Sequence, residues 1–449
     1  MSVITDQRLD ARVQERAIRS VSAKQQNGLM QVATMVILVG LVLAALASAF
    51  AQTPTGAFAY AAPFIGVALC IALIVEGRAG LRNLIRIDTF MLTVLYLLTF
   101  LEFLFPQDRL PEQITLDAAQ TATLAAIFGF AGIAIGRHFA PAKYPIPERV
   151  TLAVTPKITI TLIIAAAFLG HLYMLLAVNF DVFEMLYQMS RPRFSQPWSR
   201  GRLGSLSTLL NEVGLLIYLV PPLCGTVLAH YRRYSFIQLG IAGLCLSLVF
   251  YGGFAGGTRN IFLSHLITFL VAYVLVQKRI RFLKIALVGG SILALAAFAT
   301  FFLTEIRTVG LQNFDLEDNR RDTLFIDLNL VNVSVLVENF PEYVDFLDLE
   351  IPVNAIVRPI PRAIWPGKPE GLSITIEEVI GVSNMTLSAT FVGELWMSGG
   401  FVAILIGGLV FGWLAACWNR VGARAKSNLD MILFAAGFFP AGICMRSFM

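Results

Sequence analysis

Apolar and polar positions along this chain fall into long blocks, not the short periods of a soluble helix or strand. Runs of roughly 20 apolar residues, the length a helix needs to cross hydrocarbon about 30 Å thick, lie near 30–50, 57–75, 88–105, 118–136, 157–178, 208–229, 235–253, 260–277, 284–303, 399–418 and 430–449. The pattern predicts an all-α polytopic membrane protein with about eleven transmembrane helices. It divides into an amphipathic N-terminal arm (1–29), nine helices (30–303) with a basic loop at 179–207, a large loop domain (304–398), and two final helices (399–449). The first run ends in ALASAFAQ, which has the small residues of a signal-peptide cleavage site. It exceeds the roughly 7–15 residues of a signal core, so it is expected to be retained as a span.

Charge sets the orientation. Only 14% of residues are charged, against roughly 25% in a soluble domain. Lys and Arg collect in alternate connections: five in the N-terminal arm, then Arg78, Arg82 and Arg86, then Arg137, Lys143, Arg149 and Lys157, and so on to Arg420, Arg424 and Lys426. By the positive-inside rule these connections are cytoplasmic, and 304–398 lies outside the plasma membrane. Topology explains most of the net charge of +5, so no nucleic-acid partner is implied. All five cysteines fall within apolar runs and read as packing residues.

Two outer loops nevertheless carry cations against this bias: Arg191, Arg193, Arg200 and Arg202 in one, and Arg307, Arg320, Arg321, Arg358, Arg362 and Lys368 in the other. Long loops escape the topological rule. An anionic ligand is the functional reading, because the planar guanidinium suits phosphate and carboxylate. Ionisable residues inside apolar runs sharpen it: Glu102, Glu212, Arg259, Glu394 and Arg446 all map to the outer ends of spans, which predicts one pocket opening outward.

Within 304–398, the stretch RPIPRAIWPGKPEG (358–371) holds four prolines. Proline fixes φ and biases the preceding residue towards extended backbone, so this path is stiff. It is expected to hold Arg358, Arg362 and Lys368 around Trp365, a ring suited to stacking on a sugar or lying at the interface. Ser373 is the expected cap of a short helix in SITIEEVIG. Glu394 and Trp396 are expected at the mouth of the tenth span, before Gly399-Gly400, where a helix can break.

GGTRN before a span, PIPRAIWPGKP in the long loop and TLSATFVGELWMSGG leading into the next span together resemble the O-antigen or oligosaccharide repeat-unit polymerases (Wzy type). The motif-level likeness runs from about Gly252 to Gly400. The resemblance implies an inner-membrane glycosyltransferase of GT-C type that joins undecaprenyl-diphosphate-linked oligosaccharide units on the periplasmic face, with membrane lipid around it and a chain-length regulator as a possible partner. By that likeness Arg259, Arg307, Arg362 and Lys368 serve the diphosphate, and Glu394 the acceptor hydroxyl. Arg191, Arg193, Arg200, Arg202, Arg320, Arg358, Trp365 and Trp396 bind substrate. The resemblance also implies no cofactor and no metal.

Two other readings remain. An O-antigen ligase shares the architecture but uses a histidine in its large loop, whereas His138 and His230 fall in cytoplasmic connections and His171 and His265 within spans. A transporter for the same lipid-linked sugar would place polar groups at broken helices near the midplane.

Overall fold

The computed structural model describes residues 27–107, 114–141, 155–200, 210, 212–277, 287, 290–291, 294–295, 301–303, 305–315, 328–357, 360, 365, 367–369, 372–381, 387–425 and 427–447. Among these, nine helices are long and apolar enough to cross a membrane: α1 (Asn27–Ala49), α2 (Pro54–Gly77), α4 (Leu116–Gly136), α5 (Pro156–Ala177), α7 (Glu212–Ala229), α8 (Phe236–Ala255), α9 (Arg259–Val276), α13 (Thr390–Ala423) and α14 (Asn428–Arg446). Shorter helices are α3 (Ile87–Thr99), α6 (Val182–Met189), α10 (Asn329–Asn339), α11 (Glu350–Val357) and α12 (Ile376–Ile380). The chain is thus a multi-pass membrane protein. We term proximal the end of the bundle where α1 begins, and distal the opposite end.

Local sequence sets the helix starts. Thr53, Thr115 and Thr155 cap α2, α4 and α5 through their hydroxyls. Ser235 with Gln238 and Ser427 with Asp430 form reciprocal capping boxes. The cap of α12 is Thr375 with Glu378, and not Ser373, whose hydroxyl instead donates to Glu350.

One expected span differs. The run at 88–105 gives only the 13-residue α3, which ends at Phe100 before a 3-10 turn at Leu101–Leu104. At ~1.5 Å per residue it reaches about 20 Å, short of a crossing. The run at 284–303 lies mostly outside the described residues.

The tightest packing joins α4 to α13. Added at Gly136, a Cβ would sit 2.3 Å from the Leu409 carbonyl oxygen, and one at Gly412 would sit 2.4 Å from that of Ile133. Apolar helices in lipid gain nothing by hiding from water, so small residues that let backbones touch are what bind them.

The helical stretch α13 is not one rod. Gly399 and Gly400 leave helical geometry, and Gly400, at φ 59° and ψ −145°, occupies a region essentially closed to other residues. The rings of Phe391 and Phe411 are 5.3 Å apart. Twenty residues of straight helix would separate them by about 30 Å. Residues 390–398 therefore fold back along 401–423 as a hairpin, with every residue of 390–398 buried. This corrects the expectation that Glu394 and Trp396 stand at the mouth of a span. α10 is also buried, against α4 and the hairpin, so the segment expected to be an outer loop sends two helices into the bundle.

The proximal end also holds buried ionisable residues, apart from the outer-end set of Glu102, Glu212, Arg259, Glu394 and Arg446. At the proximal end Arg137 donates to Glu76 Oε1 at 2.8 Å, to Thr34 Oγ1 at 2.7 Å and to the Met30 carbonyl at 3.1 Å. Arg86 grips Asp88 through two bonds of 3.0 and 2.7 Å, and Asn419 on α13 also donates to Asp88. His138, expected in a cytoplasmic connection, lies 2.8 Å from the Thr34 hydroxyl. A buried charge is tolerable only when paired and hydrogen-bonded, and this cluster ties α1, α2, α3, α4 and α13 together. Positive-inside counting assigned Arg86 and Arg137 to loops because it reads number, not partners.

Candidate functional site

Three distal segments converge where the sequence placed its unusual cations. The α8–α9 turn passes through Gly257, at φ +60°, and a Cβ there would lie 2.4 Å from the backbone nitrogen of Arg307. Only glycine permits both the left-handed geometry and so close an approach. Around Gly310, likewise, the backbone closes on Pro192 and Ser190. Gln312 locks that contact by donating to Ser190 Oγ at 2.7 Å. Segments bearing Arg191, Arg193, Arg259 and Arg307 are thereby brought together.

Arg193 is the best defined. Its Nη1 donates to Thr258 Oγ1 at 3.0 Å, one residue before Arg259 opens α9. Burial, and then the like charge of Arg446, push its guanidinium below the ordinary arginine value, with Tyr218 partly opposing them. A partly desolvated guanidinium is stabilised by an anion placed beside it.

Glu394 joins from the hairpin. It is 4% exposed and accepts a hydrogen bond from Ser447 Oγ, the residue after Arg446. Ser388, just before the hairpin, donates to the Arg446 carbonyl at 3.0 Å and accepts at its own carbonyl from Asn332 Nδ2 at 2.7 Å. The end of α14 thus carries a cation and, through its next residue, a carboxylate.

No family model matches this chain, and no curated protein or solved structure does either.

Other expected site residues are placed differently. Trp396 is buried with its ring edge-on to Phe401 at 5.0 Å. Its Nε1 has no hydrogen-bond partner among the described residues, so it does not offer an open face to a sugar. Trp365 is exposed, and Lys368 Nζ donates to the Ile360 carbonyl at 3.1 Å within the same turn. No described contact joins that turn to Arg193. Arg202, Arg320, Arg358 and Arg362 lie outside the described residues, as does the side chain of Arg200. Glu212 is exposed at the start of α7. Among the described residues no group of three or more His, Cys, Asp or Glu could hold a metal.

Sequence reading missed Tyr218, Thr258 and Ser447 as members of this site. Thr258 was visible in GGTRN only as a turn residue. Tyr218 had no signal, since one tyrosine in an apolar run reads as packing.

Proposed function

We propose that this chain is a membrane-embedded glycosyltransferase that polymerises oligosaccharide units carried on a polyprenyl diphosphate, at the outer face of a bacterial inner membrane. The observation that carries it is the bond of Arg193 to Thr258, on a turn packed against the Arg307 backbone, together with the buried carboxylate of Glu394 bonded to the residue after Arg446. A lipid-linked diphosphate would sit on the cations, entering laterally from the bilayer. In the transfer, an acceptor hydroxyl oxygen bonds to the anomeric carbon of the growing chain, and the bond from that carbon to diphosphate breaks. The diphosphate leaves with the electron pair, and guanidinium groups stabilise the charge that develops on it. Glu394 takes the hydroxyl proton as general base. The proline-rich turn with Trp365 and Lys368 would meet sugar at the exposed surface.

A second reading has an observation in its favour. Broken helices inside a bundle commonly mark the substrate sites of transporters, and the Gly399-Gly400 hairpin is such a break. Incubation of the purified protein with a lipid-linked oligosaccharide separates the two. A ladder of polymers supports the transferase. Flipping of the lipid across proteoliposomes with no ladder overturns it in favour of transport.

A further inference from the structure

The first two helices leave a furrow on the outside of the bundle. They touch closely at Gly40, where a Cβ would overlap that of Ala68 and lie 3.1 Å from the Phe64 carbonyl oxygen. Nearer the proximal end α1 is held elsewhere, because Met30 and Thr34 are bonded to Arg137 at the end of α4. A cavity of about 660 Å³ opens between the helices, lined on α1 from Gly28 to Leu43 and on α2 from Pro63 to Ile71. Gln31 supplies the one polar side chain of this lining. Met35, Val39 and Val67 are each more than half exposed, so the furrow faces the hydrocarbon of the membrane.

Charge and length say what fills it. Arg78 follows Ile71 by seven residues, two turns on the same face of α2, and is exposed at the proximal mouth of the furrow. The fifteen residues from Pro63 to Arg78 rise about 22 Å. One leaflet offers about 15 Å of hydrocarbon under about 6 Å of headgroup layer. A lipid whose phosphate lies at Arg78 therefore ends its chain near Pro63. A second transmembrane helix fits less well, since helices in lipid dock through small residues that let backbones approach. Here Gly40 and Ala68 are already spent on each other, and bulky side chains form the rim. A single hydrocarbon chain needs no such approach, and it recovers the dispersion contacts that an empty furrow would lose.

We infer that the furrow is a binding site for one anionic phospholipid from the leaflet at the proximal end: an acyl chain lies between α1 and α2, and Arg78 holds the headgroup phosphate. The apolar wall selects no headgroup, because lipid tails are as apolar as the wall itself. Selection falls to Arg78. A zwitterionic headgroup carries its own cation beside the phosphate, so a lipid of net negative charge gains more from the guanidinium. Because α1 also carries Met30 and Thr34, the bound lipid braces the helix that closes over Arg137. This site is separate from the distal one and does not depend on glycosyl transfer.

The test uses the full chain in phosphatidylcholine nanodiscs holding a minor fraction of phosphatidylglycerol with a diazirine on one acyl chain. After irradiation and digestion, mass spectrometry is expected to find adducts on 32–43 and 64–71, in excess of those left by the same diazirine on phosphatidylcholine. Arg78→Gln is expected to cut the phosphatidylglycerol adducts about fivefold, the effect of one cation near a membrane surface, and to leave the phosphatidylcholine adducts unchanged. Val67→Trp fills the furrow and is expected to lower labelling of 32–43 by both probes. If Val67→Trp does not fold, the two headgroups compared in wild type and in Arg78→Gln decide. Equal labelling by both headgroups, unaltered in Arg78→Gln, shows bulk lipid only and overturns the site. Absence of adducts in the furrow overturns it as well, and gives the furrow to a second copy if the particle holds two chains.

Discussion

Arg137 Nη1 and Glu76 Oε1 form an ion pair 2.8 Å long between the end of α4 and α2, with side chains 1% and 4% exposed. Asp88 lies 3.6 Å from the same nitrogen. Removing one member of such a pair strands the other, which typically costs about 3–5 kcal/mol. Arg137→Met is therefore expected to lower thermal stability in detergent sharply, and Arg137→Met with Glu76→Gln to recover much of the loss. An unchanged melting temperature in the single variant would show that the cluster does not hold the proximal end together.

The hairpin in α13 gives a geometric test. In a cysteine-free background, Phe391→Cys with Phe411→Cys should react with a short bis-maleimide to give an intramolecular cross-link, detectable by mass spectrometry. Across a continuous helix the two sites would be about 30 Å apart, beyond the reagent's reach. Absence of the cross-link while both thiols label singly would restore the straight helix.

Most of the bundle was legible because each crossing must be long and apolar, a signal read by length alone. The hairpin was half legible. Gly399-Gly400 marked a break, but the direction taken afterwards depends on Leu395 meeting Gly407 and Phe391 meeting Phe411, contacts between residues 12 and 20 apart. The ion cluster was hidden for a related reason. Glu76, Asp88 and Arg137 each sit at a helix end, where a charge ordinarily reaches water, and nothing in the order of residues announces that three ends meet. At the distal site, arginines out of keeping with the topology were a usable signal, and three of them, Arg191, Arg193 and Arg307, do lie on segments in contact. Their partner Arg446 was noted only as an intramembrane charge.

Gly257 tests whether the distal segments must be in register. Ala at this position would place its Cβ 2.4 Å from the Arg307 nitrogen, and backbone cannot yield as a flexible side chain does. The left-handed φ adds strain of about 1 kcal/mol or more. Gly257→Ala should therefore separate the Arg307 segment from Thr258, weakening diphosphate binding at least tenfold while the bundle stays folded. Wild-type binding by this variant would remove the Arg307 segment from the pocket.

Arg193 separates a working site from a structural one. A partly desolvated cation destabilises the ligand-free protein, and functional sites commonly carry such strain. Arg193→Met removes the desolvated charge and is expected to raise the melting temperature of the free protein. It should also abolish the further rise that diphosphate gives the wild type. In the polymerisation assay, loss of a guanidinium aimed at the leaving group should lower the rate about 10²–10³-fold. Arg193→Lys keeps the charge but loses the planar fork, so its rate should fall between those of wild type and Arg193→Met. Glu394→Gln keeps the shape of the side chain and loses the base, so it should bind diphosphate as well as wild type and still make no ladder. If Arg193→Met instead melts lower than wild type and keeps its response to diphosphate, Arg193 holds Thr258 for the sake of the fold, and the anion site lies elsewhere.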